Sequence, residues 1–413
     1  MRLLYNIILT ISENLLRVFG NFFGSKIKAF KEGQTDVFNH LRQCLKPEKE
    51  VIWVHVSSLG EYEQALPVIE RLKKQYPDKQ ILLSFFSPSG YEVKKDKTPA
   101  DCVVYLPIDT PKNTQKFVDL VKPKMVFFVK YDLWPNYLIK LQKEQIPTYL
   151  ISGLFKDNHS FFKWYNKWLK NTLKSFNHFF VQDDLSKQVL EKHGFKNVTV
   201  TGDTRFDRVY YIAQENHHFD FVNDFKNNQK LLIAGSTWPK DETLLIQYIN
   251  SSHQAFKTII APHEVDEAHV NQIYQQLDKK TIRYTDITDQ TNLKDYDVII
   301  LNTIGLLNKL YKYADVVYIG NGFGKSIHNI QEPAVFGTPI ITGPNIQKFN
   351  EAIDLANSGG LTVIKNYKEL KNVLDNLWSD ENLRHEKAQI TKAYALENVG
   401  ATQKIMDYIN KNK

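Results

Sequence analysis

The stretch VIWVHVSSLGEYEQALPVIERLKKQ, Val51 to Gln75, decides the fold. A β-branched run stops at Ser57-Ser58, Gly60 turns the chain, and apolar residues then recur at helical spacing. The segment reads as a strand, a tight turn and an amphipathic helix. Ser58 and Glu61 stand at capping-box spacing, so the serine oxygen can accept the amide three residues on while the glutamate reaches back to the serine amide. The same placement holds a carboxylate near the positive end of a helix dipole, at the carboxyl edge of a strand, where a general base is available. Local sequence leaves both roles open.

The same rhythm runs through the chain. QILLSFF, CVVYLP, KMVFFV, PTYLIS and HFFVQ alternate with helical patterns in the first half, and KLLIAGS, KTIIAPH, TIRYTDI, DVIILN, DVVYIGN, TPIITGP and LTVIK do so in the second. Connections of helical length imply parallel strands with helices on both faces, an α/β class built from doubly wound sheets. With 413 residues the chain exceeds one ordinary core and fits two domains. The polar, turn-rich TVTGDTRFDRVYYIAQENHHFDF separates them, with the boundary near Ile212 to Phe225. The expected order is an apolar segment over 1–28, a Rossmann-like domain over 29–212 and a second over 226–413. Ligands of such sheets bind beyond the carboxyl ends of the strands, so the segments after each strand are where chemistry is sought.

A content of 42% hydrophobic and 24% charged residues in unrepetitive order describes a globular chain, not a disordered or fibrous one. Cys44 and Cys102 are the only cysteines, which leaves no disulfide framework or cysteine zinc site and points to a reducing compartment. The net charge of +7 is modest, but its placement is uneven. Lys26, Lys28 and Lys31 follow MRLLYNIILTISENLLRVFGNFFG, an apolar segment interrupted by Arg2, Glu13 and Arg17. Those charges argue against a spanning helix, and no small-residue cleavage site follows. The segment is expected to lie on an anionic cytoplasmic membrane surface.

FFKWYNKWLKNTLKSF, Phe161 to Phe176, interleaves aromatic residues with Lys163, Lys167, Lys170 and Lys174, which suits a bilayer interface or an anionic lipid. No nucleic-acid module accompanies it, so nucleic acid is not an expected partner. GNGFGKS, Gly320 to Ser326, is one residue short of a P-loop, which excludes that kind of ATPase; its glycines still let backbone approach a ligand. Asp295-Tyr296-Asp297 matches a metal-holding D-x-D but precedes a strand instead of following one, and His217-His218 with Asp220 reads as a solvated linker. Pro262 and His263 follow the strand KTII directly and are candidate ligand contacts.

Taken in order, SSLGEYEQALPVIERL, FSPSGYE, KYDLWPN, GDTRFD, GSTWPKDE, APHE, NTIGLLNKLYKYADVVYIGNGF and HNIQEPAVFGTPIITGPNIQKF resemble the lipid A 3-deoxy-D-manno-octulosonic acid (Kdo) transferases over nearly the whole chain. The resemblance implies a GT-B fold, two Rossmann-like domains facing across a cleft, with the acceptor on the first and the CMP-linked donor on the second. It implies inverting transfer of Kdo from CMP-Kdo to a lipid A precursor at the cytoplasmic face of the inner membrane, in lipopolysaccharide synthesis, without metal or other cofactor. Glu61 corresponds to the catalytic base and Arg205 to a residue stabilising the transition state. Pro262, His263, Ile304, Gly305, Leu306, Asn329, Ile330, Gln331 and Glu332 correspond to CMP-binding positions.

Two positions depart from the family pattern. Lys130 stands where many relatives carry a glutamate, so that glutamate's stabilising role is not carried over. Ser326-Ile327-His328-Asn329 stands where many read G-G-H-N, which alters the expected backbone path at the phosphate. Two alternatives stay open at this level: another GT-B nucleotide-sugar enzyme, such as a UDP-sugar transferase or epimerase, and an inactive lipid-binding relative.

Overall fold

The computed structural model describes residues 1–22, 24–215 and 217–412. The side chains of Ser25 and Lys26 are outside that description, and with them the Lys26 of the basic cluster; Phe23 and Lys413, which end expected segments, are outside it too. The chain divides into two compact units, Met1–Arg208 with Gly400–Lys413, and Val209–Val399.

The first unit opens with α1 (Arg2–Phe19) and α2 (Ser25–Cys44). Its sheet contains β1 (Val51–Val56), β2 (Gln80–Phe85), β3 (Cys102–Tyr105), β4 (Pro123–Val129), β5 (Thr148–Gly153), β6 (His178–Val181) and β7 (Val198–Val200), with α3 (Leu59–Gln75) following β1. The order is β3-β2-β1-β4-β5-β6-β7, parallel throughout, with Val54 of β1 between Leu83 and Phe127. All six β1 residues are buried because helices cover both faces. Trp53 faces one core cluster with Phe117 and Phe128, whereas Ile52, Val54 and Val56 face another with Tyr62 and Ile69 of α3.

The second unit contains β8 (Lys230–Thr237), β9 (Phe256–Pro262), β10 (Thr281–Arg283), β11 (Val298–Ile300), β12 (Val316–Ile319), β13 (Ile340–Thr342) and β14 (Leu361–Val363). These run parallel in the order β10-β11-β9-β8-β12-β13-β14. Strand order reverses between β1 and β4 in one sheet and between β8 and β12 in the other, which opens a crevice at each carboxyl edge. Two doubly wound sheets in one chain match the GT-B expectation.

Three details differ from the sequence expectation. The helix Ala401–Lys411 packs Ile405, Met406 and Ile409 into the α3 side of the first unit's core, not into the second unit. Cys44 and Cys102 are joined as a disulfide, their Cα atoms 5.5 Å apart where α2 crosses β3, against the expectation of none. The Phe161–Phe176 segment is broken into short helical turns that bury Phe161, Phe162 and Phe176 and leave Trp164 88% exposed. Among the described residues no helix is long and apolar enough to cross a membrane.

Candidate active site

In the first unit the capping box forms. Ser58 Oγ accepts from the Glu61 amide at 3.4 Å, and Glu61 Oε2 accepts from the Ser58 amide at 3.2 Å. Glu61 Oε2 also accepts from the Ser57 amide at 2.5 Å. Oε1 takes no hydrogen bond among the described residues, so one carboxylate oxygen is clamped and the other is open to a proton. Burial and then the neighbouring Asp132 raise the Glu61 pKa, against the lowering by the Ser57 amide, Lys130 and His55.

The Asp132 side chain spans the reversal point. It follows β4, and its Oδ2 accepts from the Ser57 hydroxyl just after β1, from Trp134 Nε1 at 2.9 Å, and lies 2.8 Å from His55 Nε2, off the line of a good hydrogen bond. His55 is fully buried, with Nδ1 2.8 Å from Ser84 Oγ, which itself accepts from Trp53 Nε1 at 2.8 Å. Ser84 has one proton to give, and giving it to Nδ1 leaves the neutral ring's proton on Nε2, facing Asp132. Burial alone would raise Asp132, but His55, Ser57 and Trp134 together hold its carboxyl below the usual range. Lys130 sits beside this network in the left-handed backbone region at φ 60°.

Arg205 begins the helix Arg205–Gln214 and is bound by Asp203: its Nε lies 3.0 Å and its terminal nitrogen 2.6 Å from Asp203 Oδ2. Asp203 is buried and accepts from Gln64 Nε2 at 3.1 and 3.2 Å. Burial works against its charge, yet Arg205 and Gln64 hold its carboxyl below the usual range. Gln64 lies on α3 one turn beyond Glu61, so a single helix positions the carboxylate and anchors the guanidinium. Asp203 stood inside the quoted GDTRFD and Asp132 inside KYDLWPN, but neither was singled out from sequence. Alternation along β1 puts Trp53 and His55 on one face, the signal that could have exposed the Ser84 link.

In the second unit Pro262 ends β9, and the exposed His263 follows it with its amide on Thr237 O at 3.0 Å. Its ring stacks on Trp238 at a centroid distance of 4.9 Å and on His328 at 4.5 Å. Trp238 Nε1 donates to His328 Nε2 at 3.0 Å, which puts the neutral His328 proton on Nδ1. Burial, then His263, lowers the His328 pKa to about 4. Backbone crowds here: a Cβ at Gly320 would collide with the Ser236 carbonyl. Asn329 accepts from the Gln331 amide at 2.9 Å and donates to Glu332 Oε1 at 3.3 Å; Ile330 is buried at the start of the helix Gln331–Phe336. Ile304, Gly305 and Leu306 form the turn after β11, with Gly305 at φ 95° and Ile304 84% exposed. Sequence placed this helix start at His328 or Asn329, two or three residues early.

The remaining candidates stay apart. Asp295 pairs with Lys280 at 3.7 Å on the amino side of β11, and His217 and His218 pair with Glu215 and Asp220 in the linker.

Residues 33–208 match the family model described as 3-deoxy-D-manno-octulosonic-acid transferase (kdotransferase). The chain is similar to the 3-deoxy-D-manno-octulosonic acid transferase of Aquifex aeolicus, 27% identical over 346 residues, 82% of this chain and 89% of that one. It is similar to the Haemophilus influenzae protein of the same name, 23% identical over 425 residues, 99% and 98% of the two chains. Among solved structures it is similar to UDP-GlcNAc 2-epimerase from Neisseria meningitidis, with a TM-score of 0.62 and 14% identity over 88% of this chain and all of that one. A likeness at that identity is one of fold.

Proposed function

From the premise that the chain belongs to the Kdo transferase family and is a glycosyltransferase, we propose that it transfers Kdo from CMP-Kdo to a lipid A precursor. Glu61 Oε1 takes the proton of an acceptor hydroxyl as its oxygen forms the bond to the anomeric carbon. The bond from that carbon to the CMP phosphate breaks on the opposite face, which inverts the centre and releases CMP. Arg205 stabilises the negative charge gathering on the departing phosphate.

The observation that carries this reading is the half-clamped carboxylate of Glu61. A carboxylate held through one oxygen keeps its aim, and a raised pKa brings it closer to the operating pH, where general-base catalysis is more effective. The Trp238–His263–His328 stack, with the Asn329–Glu332 segment, supports nucleotide binding on the second unit. Glu332 suits ribose hydroxyls as a hydrogen-bond acceptor, and this scheme routes no step through a metal or other cofactor.

An acceptor carried in a membrane accords with α1. Leu3, Leu4, Ile7, Ile8, Ile11, Leu15 and Val18 are exposed on it, while Tyr5, Asn6 and Glu13 bond to Asp109, Asn136 and Thr110. We place the protein peripherally on the cytoplasmic face of the inner membrane, against anionic lipid. The direct test is product mass after incubation with CMP-Kdo and a tetra-acylated lipid A precursor. A mass gain of one or more Kdo units supports the reading; conversion of UDP-GlcNAc with no Kdo transfer would overturn it.

A further inference from the structure

At the outer edge of the first sheet, α2 and β3 bring three metal-binding side chains together. His40 and Cys44 stand four residues apart on α2, so they project from one face of the helix. Cys102 opens β3, the edge strand, where α2 crosses it. A ring nitrogen of His40 and the sulfurs of Cys44 and Cys102 lie within 4.8 Å of one another. Val37 and Leu41, buried on the same helix, hold α2 in the core cluster that includes Cys102, so this spacing belongs to the packing and not to a loop.

The two sulfurs have a second use besides the disulfide. In a reducing compartment such a pair is held as thiols. Rotation of the side chains then parts the sulfurs to about 3.8 Å, the separation of two thiolate ligands on one tetrahedral zinc, and a Cα spacing of 5.5 Å serves either arrangement. His40 is open to solvent and makes no hydrogen bond among the described residues, which leaves its imidazole available as a third ligand. A cavity of 300 Å³ adjoins it, lined in part by Glu32, Asp36 and Glu92. Glu32 and Glu92 pair with Lys28 at 4.0 Å and Lys95 at 2.8 Å, while Asp36, one turn before His40, adds negative charge that favours a cation. Water from the cavity can take the fourth position. Counting cysteines alone excludes such a site, because the count leaves out His40.

We propose that Cys44, Cys102 and His40 form a zinc site when the disulfide is reduced. α2 is then stapled to the sheet edge by a covalent bond in one redox state and by a metal ion in the other. Two molecules of a low-molecular-weight thiol reduce the disulfide and leave joined as their own disulfide. The two protein thiols lose their protons as one zinc ion binds. Oxidation reverses the balance: the small disulfide takes two electrons from the thiolates, its two sulfurs take up two protons, the protein disulfide re-forms and zinc leaves.

The experiment uses the full-length chain, reduced with a phosphine that is then removed under argon, beside the same chain oxidised. Cobalt(II), whose thiolate charge-transfer band reports sulfur ligation, and then zinc are titrated into the native protein, His40→Ala and Cys44→Ser. His385→Ala, at an exposed histidine elsewhere, is the control. We expect one cobalt per reduced native chain, with a charge-transfer band that zinc abolishes, and no such band in the oxidised chain. His40→Ala should weaken zinc binding about 100-fold, Cys44→Ser should lose tight binding, and His385→Ala should match the native chain. Zinc should raise the melting temperature of the reduced chain and not of the oxidised one. A reduced native chain that takes up no cobalt, a His40→Ala chain that binds zinc as tightly as the native one, or equal binding by the oxidised chain would overturn the proposal. His40 lies outside the core, so its variant decides the matter even where Cys44→Ser does not fold.

Discussion

Gln64 and Asp203, 139 residues apart in sequence, are joined by hydrogen bonds of 3.1 and 3.2 Å from one amide to both oxygens of one buried carboxylate. Asp203 in turn grips Arg205, so the helix that begins with Glu61's cap also determines where the guanidinium stands. Glu61 and Arg205, the proposed base and cation, are thus set by one rigid element, as a site that holds groups in register requires.

Arg205→Ala is expected to lower kcat by about 100-fold, and Gln64→Ala by about tenfold, because the first removes the charge proposed to stabilise the leaving phosphate and the second loosens its anchor. Both KM values should stay within a small factor. Steady-state kinetics with donor and acceptor varied separately check this; an unchanged kcat in Arg205→Ala would remove that residue from the reaction.

The pH dependence has a definite sign. Burial, and then the negative Asp132, raise the Glu61 pKa, so this proposed base is lost to protonation at a higher pH than an ordinary carboxylate. Asp132→Asn removes that repulsion and should shift the acidic limb of the kcat profile to lower pH, whatever it does to the maximum rate. A limb that stays in place or moves upward would mean that another group titrates there.

Much of this was legible in sequence, for identifiable reasons. The switch from a β-branched run to helical spacing at Ser57 marked β1 and α3, and Ser58 and Glu61 disclosed the capping box because both partners lie within four residues. What stayed hidden depends on distant partners. Ser57 and Asp132 meet only because β1 and β4 adjoin at the reversal point, 75 residues apart. Ile405, Met406 and Ile409 have the spacing of an amphipathic face, but nothing local says that its partner is α3 and not the nearer second unit. Cys44 and Cys102 come together because α2 crosses β3, where Gly33 admits the Tyr105 ring against its backbone.

For the donor, Glu332→Gln should raise KM for CMP-Kdo by about tenfold with the acceptor constant unchanged, since a neutral amide accepts ribose hydroxyls less strongly than a carboxylate. Calorimetric titration with CMP should show the same loss. Equal affinity for CMP in the two proteins would take Glu332 out of the nucleotide site.

At the membrane, Ile7→Glu with Ile11→Glu should strongly reduce co-sedimentation with anionic vesicles while leaving thermal stability near the native value. Both positions are about half exposed, at 47% and 53%, so the change falls on a face that covers no core. Replacing Lys163, Lys167 and Lys170 by Gln should raise KM for the acceptor more than for the donor. Unaltered sedimentation in the first variant, or equal KM effects in the second, would count against these surfaces as membrane contacts.

The most direct measurement is Kdo transfer by Glu61→Gln beside the native chain, scored by product mass, with a melting curve on each protein. Glutamine can still complete a capping box, so the account predicts a fold of nearly native stability and a rate lower by about 10²–10⁴. A folded Glu61→Gln that transfers Kdo at the native rate would contradict it, leaving Glu61 as a helix cap and the proton in need of another acceptor.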